Sequence, residues 1–113
     1  MSRMKQSKRA ALEAHGWRLG DTADFLALTP EEAALVETKL ALSVSVRDRR
    51  RKQGLSQADL AKRLKSSQSR VAKIEAADPT VSADLLLRAL FALGATPSDV
   101  ASVIRKGRRS LAA

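Results

Sequence analysis

The chain has 113 residues, 44% of them hydrophobic, and 21 Lys and Arg against 12 Asp and Glu give it a net charge of +9; it has no cysteine and one histidine. Such a length supports one modest core with tails, and the missing cysteines with His15 standing alone exclude a disulfide frame and a thiolate or multi-histidine metal cluster, so neither metal nor cofactor is expected. No apolar run reaches the roughly 18 residues of a membrane span. The start has no apolar stretch with a small-residue cleavage site either, which makes a cytoplasmic location the expectation.

Residues 1–16 are basic and poor in large apolar groups, and they read as a flexible tail, either disordered or weakly helical around Ala10 to Ala14. Residues 17–28 follow as an extended arm or lid, with Trp17, Leu19, Phe25 and Leu28 as its apolar anchors and Gly16 and Gly20 as punctuation. That segment either covers the chain's own core or lies across a partner, because a small helical body has few places to hide a tryptophan.

The domain itself is expected over residues 29–104. Thr29-Pro30-Glu31-Glu32 places a hydroxyl at N-cap, a proline where no N–H is needed and a glutamate that can close a capping box, so a helix starts there. Its apolar residues, Ala33 to Val46, spread over more than one stripe, which means a well-buried helix or a break near Ser43-Val44-Ser45. It runs to about Lys52 and stops at Gly54. A short second helix begins after Ser56, with Asp59 able to reciprocate the cap and Leu60, Ala61 and Leu64 facing inward. A third spans residues 68–76, capped by Ser67, with Val71 and Ile74 turned inward and Asp78-Pro79 beyond its end. The fourth, Ser82 to Leu93, buries Leu85, Leu86, Ala89, Leu90 and Leu93. The fifth starts at Thr96-Pro97-Ser98-Asp99 and ends near Ile104, leaving residues 105–113 as a basic tail. The fold class is therefore all-α, five helices with short links.

Charge is distributed unevenly along this frame. Residues 1–20 and 105–113 each carry a net +4, so the body between them is nearly neutral. Within the body, Arg47 to Lys73 holds ten cations against Asp48 and Asp59, between acidic flanks. A one-sided basic field on a near-neutral body suits phosphate binding, although an ordinary solvated face has the same composition.

Residues 57–74 are two short helices joined by a turn too tight to let them lie antiparallel, so the second crosses the first steeply and projects its N-terminal half outward. Leu60, Ala61, Leu64, Val71 and Ile74 form the clamp, with Ala61 small where the helices approach. Gln68 can pair with adenine N6 and N7, Arg70 can bridge guanine O6 and N7 or hold a phosphate, and Ser69 is small enough for a close base or phosphate contact. Gln57, at the start of its helix, is a backbone-phosphate candidate, as are Arg49, Arg50, Arg51, Lys52, Lys62, Arg63, Lys65 and Lys73. An enzyme is not expected: there is no tyrosine, cysteine or Gly-rich phosphate loop, and Glu31 and Glu32 are adjacent on a helix and point apart.

The stretch GLSQADLAKRLKSSQSRVAKIE, Gly54 to Glu75, resembles the lambda-repressor-like or Xre helix-turn-helix proteins, over roughly Leu42 to Ile104. The resemblance implies a lambda-repressor-like five-helix fold, a phosphate contact for Gln57, and DNA contacts for Ser67, Gln68, Ser69 and Arg70. Family members commonly have glycine where Lys65 stands and an apolar residue where Ser66 stands. Lys65 is thus expected in a left-handed conformation at some strain. Leu19 to Leu26, ahead of TPEEAALVE, also resembles the antitoxin subset encoded beside RelE-like ribonuclease toxins. That likeness implies a toxin contact through Trp17, Leu19, Phe25 and Leu26. The function expected is a sequence-specific repressor binding a palindromic operator as a homodimer, with Leu93, Val100, Val103 and Ile104 as the dimer surface. The alternative is an antitoxin whose main role is neutralising its toxin.

Overall fold

The computed structural model of the chain describes residues 28–112, with side chains through residue 106. Among the described residues five helices follow in order: α1 Pro30–Lys52, α2 Gln57–Leu64, α3 Gln68–Glu75, α4 Ala83–Ala92 and α5 Pro97–Ala112. The expected all-α, five-helix arrangement is present. The expected arm at residues 17–28 and the tail at 1–16 lie outside the described residues, Leu28 apart.

Capping chemistry sets the starts. Thr29 Oγ1 accepts from Glu32 N at 3.1 Å while Glu32 Oε1 accepts from Thr29 N at 3.1 Å, closing the box at α1. Ser56 with Asp59 does the same at α2, and Thr96 with Asp99 at α5. The hydrogen bonds received from Ser56 and from Thr96 hold the carboxyls of Asp59 and Asp99 below the usual carboxylate range. Each box satisfies backbone N–H groups that helix geometry leaves without partners.

The alternative of a break near Ser43 does not occur: α1 is continuous for 23 residues. Val36, Leu40, Ala41, Leu42, Ser43 and Val46 are all buried, more than one stripe, because α3, α4 and α5 each pack against it. Ser43 is fully buried and its hydroxyl has no hydrogen-bond partner among the described residues, a group that ordinarily costs about 1–3 kcal/mol to desolvate. Around Val46 the core gathers Leu60, Val71, Ile74, Leu86 and Leu90, each at most 1% exposed. Burying such side chains contributes about 1.5–3 kcal/mol apiece.

Two chain reversals use glycine at positive φ, Gly54 at 69° and Gly94 at 88°, where a β-carbon would be strained. Lys65 takes the same region without that freedom, at φ 53° and ψ 48°, as the cap of α2. This is the conformation expected from its place in the turn. A β-carbon there costs about 1–2 kcal/mol, partly offset for glycine by its larger unfolded-state entropy. Lys65→Gly is therefore expected to raise stability by about 0.5–1 kcal/mol, read as a higher urea midpoint at unchanged slope. A lower midpoint would mean that the lysine stem makes packing worth more than the strain.

One boundary differs from expectation. Helix α5 continues to Ala112 rather than ending near Ile104. Gly107 within it is tolerated at about 1 kcal/mol relative to alanine, and the flanking arginines and lysine are good helix formers.

Candidate nucleic-acid interface

Helices α2 and α3 meet through the turn at Lys65 and Ser66, and their inner faces supply Leu60, Ala61, Val71 and Ile74, all buried, with Leu64 half-buried. Ser66 N donates to Ala61 O at 2.9 Å and Lys65 N to Lys62 O at 3.2 Å, which closes the corner. With Val71 and Ile74 committed inward, the first turn of α3 must face out. Ser67, Gln68, Ser69 and Arg70 are all exposed.

Their local chemistry divides them. Ser67 Oγ caps α3 by accepting from Arg70 N at 3.2 Å and lies 3.1 Å from Ser69 Oγ. Its hydroxyl is thus occupied in holding the turn. The side chains of Gln68 and Arg70 have no hydrogen-bond or ion-pair partner among the described residues. Free amide and guanidinium donors on an exposed helix start are what base edges can engage.

A buried ion pair braces this corner from behind. Arg50 Nε donates to Glu75 Oε2 at 2.5 Å, Nη2 to Glu75 Oε1 at 2.9 Å, and Nη1 to Leu55 O at 2.7 Å. The arginine side chain is 11% exposed and the glutamate 5%. The hydrogen bond to Glu75 pushes the Arg50 guanidinium above its ordinary value. Arg50, expected among the phosphate candidates, is therefore an internal brace, since all three of its nitrogens are engaged and little of it reaches solvent. Gln57 Nε2 also donates to Glu75 Oε1, at 3.2 Å. That bond orients the amide and leaves its second hydrogen for another acceptor.

The remaining cations form the rim. Arg51 and Lys52 are exposed at the end of α1, Lys62, Arg63 and Lys65 at the end of α2, and Lys73 on α3. Arg63 Nη1 donates to Ala92 O at 3.3 Å, and Arg49 pairs with Asp99 at 3.4 Å, which ties α5 to α1. Between α3 and the start of α4 lies an open groove of about 440 Å³, walled by Ser69, Arg70, Lys73, Thr80, Ser82 and Arg88. No reading of the sequence singled out Thr80 or Arg88; a cation six residues past the Ser82 cap carries no motif.

The four residues expected at a dimer surface are not equivalent. Leu93 and Val100 are 3% and 8% exposed and belong to the core. The apolar stripes of α4 and α5 turn inward at these positions. Val103 is half-buried against the core, and Ile104 is exposed. Phe91, 46% exposed on α4, was not anticipated. Trp17, Leu19, Phe25 and Leu26, expected to contact a toxin, lie outside the described residues. No helix among the described residues is long and apolar enough to cross a membrane.

Residues 41–103 match the family model described as a helix-turn-helix domain. No curated protein and no solved structure matches the chain.

Proposed function

The chain belongs to the helix-turn-helix domain family of DNA-binding proteins, and on that premise we propose that it is a sequence-specific repressor that binds a palindromic operator as a homodimer. The observation that carries this reading is the first turn of α3: Gln68 and Arg70 are exposed, with side chains unpartnered among the described residues, while Val71 and Ile74 are buried beneath them. Ser67, Gln68, Ser69 and Arg70 read or approach the bases. Gln57 holds a backbone phosphate beside the Glu75 network, and Arg51, Lys52, Lys62, Arg63, Lys65 and Lys73 supply the non-specific field. Two-fold pairing sets two α3 helices about 34–36 Å apart, one turn of DNA. Exposed Phe91 and Ile104 support a dimer surface on α4 and α5. Selection of bound duplexes from a random pool tests the proposal: an inverted repeat is the expected product, and a pool without sequence enrichment contradicts it.

A second role, neutralising a ribonuclease toxin through residues 17–28, is favoured by Leu35. It is 52% exposed near the start of α1, just after that segment and outside the matched domain. Co-purification of a small ribonuclease with the intact chain, lost on removing residues 1–28, is the expected result; no co-purifying nuclease from the native host contradicts it.

A further inference from the structure

Lys39 is a buried lysine with no ion pair among the described residues, although its charge acts on the carboxyl of Asp78. It is 9% exposed, and its Nζ donates to Pro79 O at 3.1 Å, forty residues along the chain. Burying an ammonium costs free energy that a hydrogen bond and a nearby negative charge must offset, and here both come from one loop. The carbonyl it holds belongs to the loop between α3 and α4. In that loop Ala77 sits at φ 56°, and Asp78 Oδ1 accepts from Thr80 N at 2.8 Å and from Thr80 Oγ1 at 2.6 Å. Thr80 and Ser82 form one wall of the groove whose other wall carries Ser69, Arg70 and Lys73, and Arg88 stands on α4 beside it. Arg88 is 72% exposed and pairs with Asp84 at 3.0 Å, an exposed pairing of small net value that a phosphate can displace.

We infer that Lys39, which precedes the matched domain, is a positioning residue for DNA binding: by tying the loop carbonyl to α1 it sets the spacing between α3 and α4, and so keeps Lys73 and Arg88 placed along one groove where a backbone phosphate can meet them. This rests on the DNA-binding reading above. Lys39 itself touches no DNA, since its ammonium is turned into the protein. The phosphate is one of the duplex, flanking the bases that α3 faces; free phosphate in the millimolar range does not compete, because a single dianion lacks the neighbouring contacts that hold the strand in register.

The test compares Lys39→Met, Lys39→Arg, Arg88→Ala and the Lys39→Met/Arg88→Ala pair. Affinity is measured against salt on a selected duplex and on pooled random-sequence duplex, with the folded fraction of each variant determined alongside. Methionine keeps the stem and removes the ammonium, whereas arginine retains a donor for the carbonyl. Lys39→Met is expected to bind about 3–10-fold more weakly per folded molecule, with the slope of log affinity on log salt shallower by about one. Lys39→Arg is expected to restore both. Arg88→Ala, exposed and therefore harmless to folding, is expected to lose the same slope, and the pair to lose less than the product of the two. A merely structural Lys39 lowers the folded fraction but leaves slope and affinity of the folded molecules unchanged, which overturns the inference; so do independent losses in the pair, or competition by inorganic phosphate at millimolar concentration. If the wild-type chain binds neither duplex, the DNA-binding reading itself falls, and the inference with it.

Discussion

Replacing Arg50 with methionine is expected to destabilise the domain by about 3–5 kcal/mol, because it leaves the Glu75 carboxylate buried without its counter-charge. Glu75 receives two bonds from Arg50 and one from Gln57, and is 5% exposed, so water cannot take the place of the guanidinium. Domains of this kind have about 5–15 kcal/mol in total, so the loss is a large part of what holds the fold. It should appear as a much lower urea midpoint with the slope unchanged. The pair itself need not be worth that much: replacing Arg50 and Glu75 together by apolar residues of similar volume is expected to recover most of the stability. A single-variant loss below about 1 kcal/mol would show that Glu75 finds another partner or water once the arginine is gone. The ion pair also bears on the interface, since the same carboxylate joins α1, the start of α2 and the end of α3.

The helix starts were legible because they depend on neighbours in sequence. A hydroxyl three residues before an acid can close a box where a helix starts, and Thr29, Ser56 and Thr96 each do so. Long-range partners were harder to read. Arg50 stands in an unbroken run of cations, which hid that Leu42, Val46 and Arg50 recur every four residues on one buried face. That phase was a usable signal for an inward arginine, with Glu75 next to buried Ile74 as its partner. Lys39 offered none, since a backbone carbonyl forty residues away leaves no mark on composition. Leu93 and Val100 show a different limit: a stripe of the right period says that a face is covered, but not whether the chain or a second copy covers it. The exposed turn at Gln68 to Arg70 was legible because Val71 and Ile74 fix which way α3 faces.

Arg70→Ala is expected to reduce discrimination at one operator position by about 1–3 kcal/mol, or roughly 5- to 150-fold, while leaving stability unchanged. Arg70 is exposed, and its side chain has no hydrogen-bond or ion-pair partner among the described residues, while its backbone N–H donates to Ser67 Oγ at 3.2 Å. Its guanidinium therefore gives up no protein contact on meeting a base, in contrast to Arg50, whose nitrogens are already bound. Arg70→Lys separates charge from shape: an ammonium keeps the attraction to phosphate but cannot form the two parallel bonds that guanine O6 and N7 accept. The lysine variant is thus expected to retain the salt dependence and lose most of the preference. Equal loss on selected and scrambled duplexes for Arg70→Ala, with the salt slope reduced by about one, would make Arg70 a phosphate contact. Base reading would then rest on Gln68 and Ser69, one amide and one hydroxyl, and the operator would show a correspondingly shorter conserved half-site.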